Sequence, residues 1–147
     1  MCKKKTLADY FTEHASEEKF VYELETGKKK THTSILNHAR KISSFKQINK
    51  NDVVTVILPN SIEYIECFLA SMLGGWIFNP LPYFIQVQEL NKIFEYIEPN
   101  IIITDKKEIF SNFSSKYKIF TPEQIFIENI KYEKKEINSS SSAALYY

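Results

Sequence analysis

From Asn51 to Asp105 the chain alternates short, solidly apolar runs with longer amphipathic stretches. Val53-Val54-Thr55-Val56-Ile57-Leu58 stops at Pro59-Asn60-Ser61. Ile62, Ile65, Phe68, Leu69, Met72 and Leu73 then recur at helical spacing. Trp76-Ile77-Phe78 ends at Asn79-Pro80, and Val87, Leu90, Ile93, Phe94 and Ile97 form a second stripe. Glu98-Pro99 closes it, and Ile101-Ile102-Ile103 makes a third run. Strands that are apolar at every position are buried on both faces, which marks a parallel sheet covered by helices. The segment therefore reads β-α-β-α-β with right-handed crossovers. The predicted fold class is α/β, a mainly parallel sheet with flanking helices.

A helix and a β-hairpin are predicted upstream. Thr6 caps a first helix with Leu7, Tyr10 and Phe11 on one face. Phe20 to Leu24 and Lys30 to Thr33 flank Glu25-Thr26-Gly27-Lys28, a hairpin signal in which Gly27 supplies a positive φ. Ser34 then caps a helix bearing Ile35, Leu36, Ala39, Ile42 and Phe45. Downstream, Ile109, Phe110 and Phe113 predict a third helix after the sheet begins, and Tyr117 to Phe120 a fourth strand. Thr121-Pro122-Glu123 reads as a helix start. Lys131 to Ser142 is charged, then serine-rich, without an apolar period. Ala143 to Tyr147 reads as a strand just beginning.

At 147 residues the chain fits one domain of ordinary size. The net charge of +1 makes no global case for nucleic acid or a membrane surface. The charge is uneven: residues 1–50 carry 11 basic against 6 acidic side chains, and residues 51–147 carry 8 against 12. Lys3-Lys4-Lys5 and Lys28-Lys29-Lys30 supply much of the excess, as a solvated tail and loop tip or as a phosphate contact. Cys2 and Cys67 offer neither a disulfide framework nor a metal spacing, and Cys67 reads as a small buried hydrophobe. No apolar run reaches the ~18 residues that span a bilayer, and no signal segment follows the basic start. A cytoplasmic, reducing setting is expected.

Candidate chemistry is sparse. Gly27, Gly74 and Gly75 form neither a G-x-G-x-x-G nor a G-x-x-x-x-G-K pattern. Ser139 to Ser142 lacks glycine and a following lysine, so it reads as linker. His14 and His38 are expected on helix surfaces and His32 in a hairpin strand, with no partners at metal-ligand spacing. Ligands of parallel sheets bind outside the carboxyl ends of the strands. Those ends are Pro59-Asn60-Ser61 and Asn79-Pro80-Leu81-Pro82-Tyr83, where Ser61 also reads as a helix cap. Tyr83-Phe84-Ile85 is an apolar cluster in an expected loop.

Several landmarks share an order. Asn51-Asp52-Val53-Val54, Leu58-Pro59-Asn60-Ser61 with Glu63, Leu69-Ala70 through Gly74-Gly75, Asn79-Pro80-Leu81 with Glu89-Leu90, and Ile101 to Asp105 follow one another through the chain. In that order and spacing, the sequence resembles the N-terminal part of the adenylate-forming (AMP-dependent synthetase/ligase) superfamily, from about Leu7 to Tyr147. Asn51 stands where a Gly is usual, and Trp76 where a smaller residue is commoner. The resemblance implies a carboxylic acid substrate, ATP and Mg²⁺, an acyl-adenylate intermediate, and a thiol acceptor such as CoA or a carrier.

It also implies that residues 1–130 are a partial N-terminal domain and 131–142 a linker or surface loop. Residues 143–147 become the start of the strand before the phosphate loop. The family's phosphate loop, magnesium ligands and catalytic lysine fall beyond Tyr147, so no catalytic residue is assigned. The edge marked by Asn60, Ser61, Pro80 and Tyr83 lies near the family's thiol-cofactor route. Two other readings stand beside it: one chain of a split ligase needing a second chain, and a stand-alone flavodoxin-like α/β binding module. A sheet cut at a new edge exposes unpaired backbone, so poor solubility or self-association is expected.

Overall fold

The computed structural model describes residues 5–126, 131–137 and 143. Helix α1 (Leu7–His14) precedes an antiparallel hairpin of β1 (Phe20–Tyr22) and β2 (Lys29–Thr31). Helix α2 (His32–Ser43) follows. Then come β3 (Val53–Ile57), α3 (Ile62–Gly74), β4 (Ile77–Pro80), α4 (Val87–Ile97) and β5 (Ile101–Thr104). Strand β6 (Lys118–Phe120) and the short helix α5 (Pro122–Phe126) complete the described elements.

The four main strands are all parallel, in the order β4-β3-β5-β6. The first strand laid down is therefore internal. The chain moves outward to β4, then returns across β3 to β5, which creates a switch point between the carboxyl ends of β3 and β5.

Side chains alternate across the strands into two apolar clusters. Val54, Val56, Phe78, Ile101 and Ile103 pack with Ile35, Ala39, Ile42, Cys67, Leu69 and Ala70 of α2 and α3. Ile57, Ile102 and Ile119 pack with Leu90 and Phe94 of α4 and with Phe110, Phe113 and Tyr117. Burial on both faces is why the strand sequences carry no polar alternation.

Local chemistry sets the boundaries. Gly75 ends α3 in the left-handed region at φ 70°. Glu98 ends α4 at φ 46°, just before Pro99. Asn51 enters β3 at φ 69°, the conformation a glycine would otherwise supply.

Four sequence expectations need correction. Thr31, not Ser34, caps α2, and its hydroxyl oxygen accepts from the Ser34 N–H at 3.1 Å. The hairpin ladder closes with the His32 N–H donating to Lys19 O, so the nearest capping hydroxyl is that of Thr31, and His32 falls in the helix. Leu7 and Tyr10 are exposed, and α1 turns Ala8 and Phe11 inward instead. No α-helix forms around Ile109. Residues 106–110 make turns and Ser111–Phe113 a 3₁₀ turn. Phe110 and Phe113 are buried while Ile109 is exposed. A three-residue spacing suits a 3₁₀ turn, and Ser111, Asn112, Ser114 and Ser115 compete for backbone hydrogen bonds there.

Residues 131–137 carry no regular structure but lie against the body. Lys50 Nζ donates to Glu136 O, and the Glu133 N–H donates to Ser44 Oγ. Of the strand expected over residues 143–147 only Ala143 is described, and its carbonyl accepts from the Phe78 N–H at 2.9 Å. Cys2 and Ser139 to Ser142 lie outside the described residues.

Candidate functional site

The carboxyl edge of the sheet is built by two strand-to-helix turns. In the first, Leu58 is buried and Ser61 caps α3, its hydroxyl oxygen accepting from the Tyr64 N–H at 3.2 Å. The next free amide, Ile62 N–H, donates to the Glu23 carboxylate of the hairpin at 3.1 Å. Asn60 is exposed on the lip of a cavity of about 280 Å³, shared with Val21, Tyr22, Glu23, Ile62 and Ile65. Asn60 and Ser61 thus face the hairpin.

The second turn faces elsewhere. Pro80 closes β4 in register with Val56, its nitrogen on the side away from β3. The Leu81 N–H continues the bonds to β3, donating to Val56 O at 3.1 Å. Asn79 is buried and donates through Nδ2 to Thr55 Oγ1 at 2.7 Å, a cross-strand pair. Tyr83 then crosses to the end of β5. Its hydroxyl donates to Asp105 Oδ2 at 3.1 Å, and Lys106 Nζ donates to its carbonyl at 3.2 Å. The Lys106 ammonium also lies 3.6 Å from the centre of the Tyr83 ring. Burial, then the Asp105 carboxylate, hold the Tyr83 hydroxyl above the ordinary tyrosine value. Of the four sequence candidates, Pro80 and Tyr83 share this second turn, and Asn60 and Ser61 share the first.

Sequence reasoning missed the most buried charge. Glu66 of α3 is 0% exposed, with Oε1 2.8 Å from Lys30 Nζ and 3.2 Å from His38 Nδ1. Its signal was its position. Glu66 stands one turn after Ile62 and one turn before Leu69 and Ala70, on the buried stripe. One turn earlier, Glu63 pairs with Lys28. Burial pushes the Glu63 carboxyl up, but the Lys28 ammonium and the backbone outweigh it and leave it below the usual range. Two of the three lysines of the Lys28-Lys29-Lys30 run are thus engaged by carboxylates of α3, and Lys29 lies over the Phe20 ring. Loop-tip cations fastening a hairpin, rather than a phosphate cradle, account for that run.

The glycines are also accounted for. Gly27 turns the hairpin at φ 71°. A Cβ on Gly74 would meet the Trp76 indole at 2.4 Å, and Gly75 caps α3. None lies in a loop whose N–H groups could cradle a polyphosphate. The Cys67 thiol is pushed far above its usual range, by burial first and then by Glu66 and Glu63, so it is no nucleophile. Among the described residues no helix is long and apolar enough to cross a membrane.

The model of the AMP-binding enzyme family matches residues 8–144. No curated protein matches. Among solved structures, VinN in complex with 3-methylaspartate superposes with a TM-score of 0.81 at 17% identity, over 95% of this chain and 43% of that one. The O-succinylbenzoate coenzyme A synthetase MenE from Bacillus subtilis, in complex with ATP and a magnesium ion, gives 0.76 at 14% identity, over 90% and 36%. Apo MatB from Rhodopseudomonas palustris gives 0.71 at 16% identity, over 81% and 27%. The chain therefore spans between about a quarter and two-fifths of the length of these structures. With a same-direction sheet, ordered landmarks and a family match over nearly its whole length, the chain belongs to the AMP-binding enzyme family.

Proposed function

We propose that these residues form the N-terminal scaffold of an ATP-dependent acid–thiol ligase. In that reaction a carboxylate attacks the α-phosphate of ATP to give an acyl-adenylate and pyrophosphate. A thiol, of CoA or a carrier, then displaces AMP. The observation that carries this reading is the family match over residues 8–144. ATP and Mg²⁺ are held by polypeptide beyond these residues, because the glycines here all serve turns, caps and close packing. Residues 1–130 belong to a larger N-terminal domain, 131–142 link it onward, and 143–147 start the strand that leads to the phosphate loop. The edge bearing Asn60, Ser61, Pro80 and Tyr83 faces the thiol cofactor, in a cytoplasmic setting.

A second chain supplying the remainder is the alternative within the same chemistry. A flavodoxin-like module has the matching strand order, but its ligand crevice would be the switch point that Tyr83 and Lys106 close here. The test is carboxylate-dependent exchange of pyrophosphate into ATP. Residues 1–147 alone are expected to show none, and co-expression with the polypeptide encoded downstream is expected to restore it. Exchange by residues 1–147 alone would overturn the reading.

A further inference from the structure

We propose that the loop between β4 and α4 is a latched lid over the switch point of the sheet, with Tyr83, Asp105 and Lys106 as its latch. The loop is anchored at both ends. Leu81 is buried in the second cluster and bonded to β3, and α4 begins with Gln86 as its cap. Between those anchors it joins no strand ladder. Its own bonds are few: the Ile85 N–H donates to Pro82 O at 3.0 Å, and Gln86 Nε2 donates to Phe84 O at 3.4 Å. Phe84 at its tip is 81% exposed and adds nothing to the core.

Besides the half-buried Ile85, which packs against the second cluster, the end of β5 holds the loop down. Asp105 accepts from the Tyr83 hydroxyl. Lys106 donates to the Tyr83 carbonyl and lies against the Tyr83 ring, with the Phe84 ring 5.4 Å away. Lys106 is itself positioned by its N–H donating to the buried Thr104 hydroxyl at 3.1 Å. A side chain that bridges 22 residues of sequence thus meets a buried strand end on one side and, on the other, a loop whose only further packing among the described residues is the half-buried Ile85 against the second cluster.

The closed lid occupies the place where open α/β sheets take their ligands. Opening would free one carboxylate, one ammonium and one phenol there at once, so release of the latch and access to the edge are a single event. This purpose rests on the thiol-cofactor reading of the same edge, whereas the latch itself does not.

The test is amide hydrogen exchange by NMR on the full 147-residue chain, which needs no ligase activity. Tyr83→Phe, Asp105→Ala and Lys106→Met are each expected to speed exchange at the Ile85 amide by about fivefold. Asp105→Asn, which keeps an acceptor for the phenol, is expected to restore most of the protection. The amides of Leu81 and Ile103 are expected to stay unchanged. Unaltered exchange at Ile85 would overturn the proposal. So would equal acceleration at Leu81 and Ile103, because the loop would then open only with the whole sheet. If thiol binding fails but the Ile85 result stands, the cofactor reading is wrong and the lid remains.

Discussion

The two turns at the carboxyl edge do the same topological job by different means. Leu58 to Ser61 is fixed by backbone and burial: Leu58 sits in the core, Ser61 caps α3, and Ile62 is buried immediately after. Leu81 to Gln86 is fixed by burial and backbone at Leu81 and, beyond it, by side chains reaching from the end of β5, two strands away. A turn held by its own cap and a buried first residue opens only when the helix unfolds. A turn held by a phenol, a carboxylate and an ammonium opens when those exposed contacts exchange with water. The difference separates a fixed wall from a movable one on a single sheet edge.

The contrast is most exposed at Ile62. Ile62→Ala removes a fully buried side chain at the foot of the first turn and is expected to cost about 2–5 kcal/mol in a denaturant melt. A cost below ~1 kcal/mol would mean that the first turn is not anchored by the core. Ser61→Ala, which leaves the Tyr64 amide without its cap, is expected to cost about 1 kcal/mol, and Ser61→Asp to recover it.

The second turn should instead respond to pH. The Tyr83 hydroxyl is held above the ordinary value of 10.0, so its contribution is complete below that pH. It is lost as the pH rises through the higher folded value, when the phenolate meets the Asp105 carboxylate. Isotope-labelled tyrosine NMR should show the Tyr83 resonance titrating late in the parent chain and earlier, though still raised by burial, in Asp105→Ala. An unchanged Tyr83 titration in Asp105→Ala would remove the latch from the comparison. Phe84→Ala, at the tip of the same turn, is expected to change stability by no more than ~0.5 kcal/mol.

The same contrast explains what could be read in advance. Val53 to Leu58 and Ile101 to Ile103 were legible as buried parallel strands because nearly every position is apolar, and α2, α3 and α4 because their stripes repeat at helical spacing. Ser61 was legible as a cap because capping is local. The latch was not, since Tyr83 meets Asp105 and Lys106 only once β3 is known to lie between β4 and β5. Glu66 escaped because a charge on an apolar stripe has no meaning until Lys30 and His38 arrive from the hairpin and α2. Phe110 and Phe113 carried the right burial but the wrong helix, because a spacing of three does not separate an α-turn from a 3₁₀ turn.

The central claim is that this sheet is a scaffold of the family and not its nucleotide pocket. Calorimetric titration of residues 1–147 with ATP and Mg²⁺ tests it most directly. No saturable heat is expected up to millimolar nucleotide. A stoichiometric, saturable isotherm with sub-millimolar Kd would contradict it.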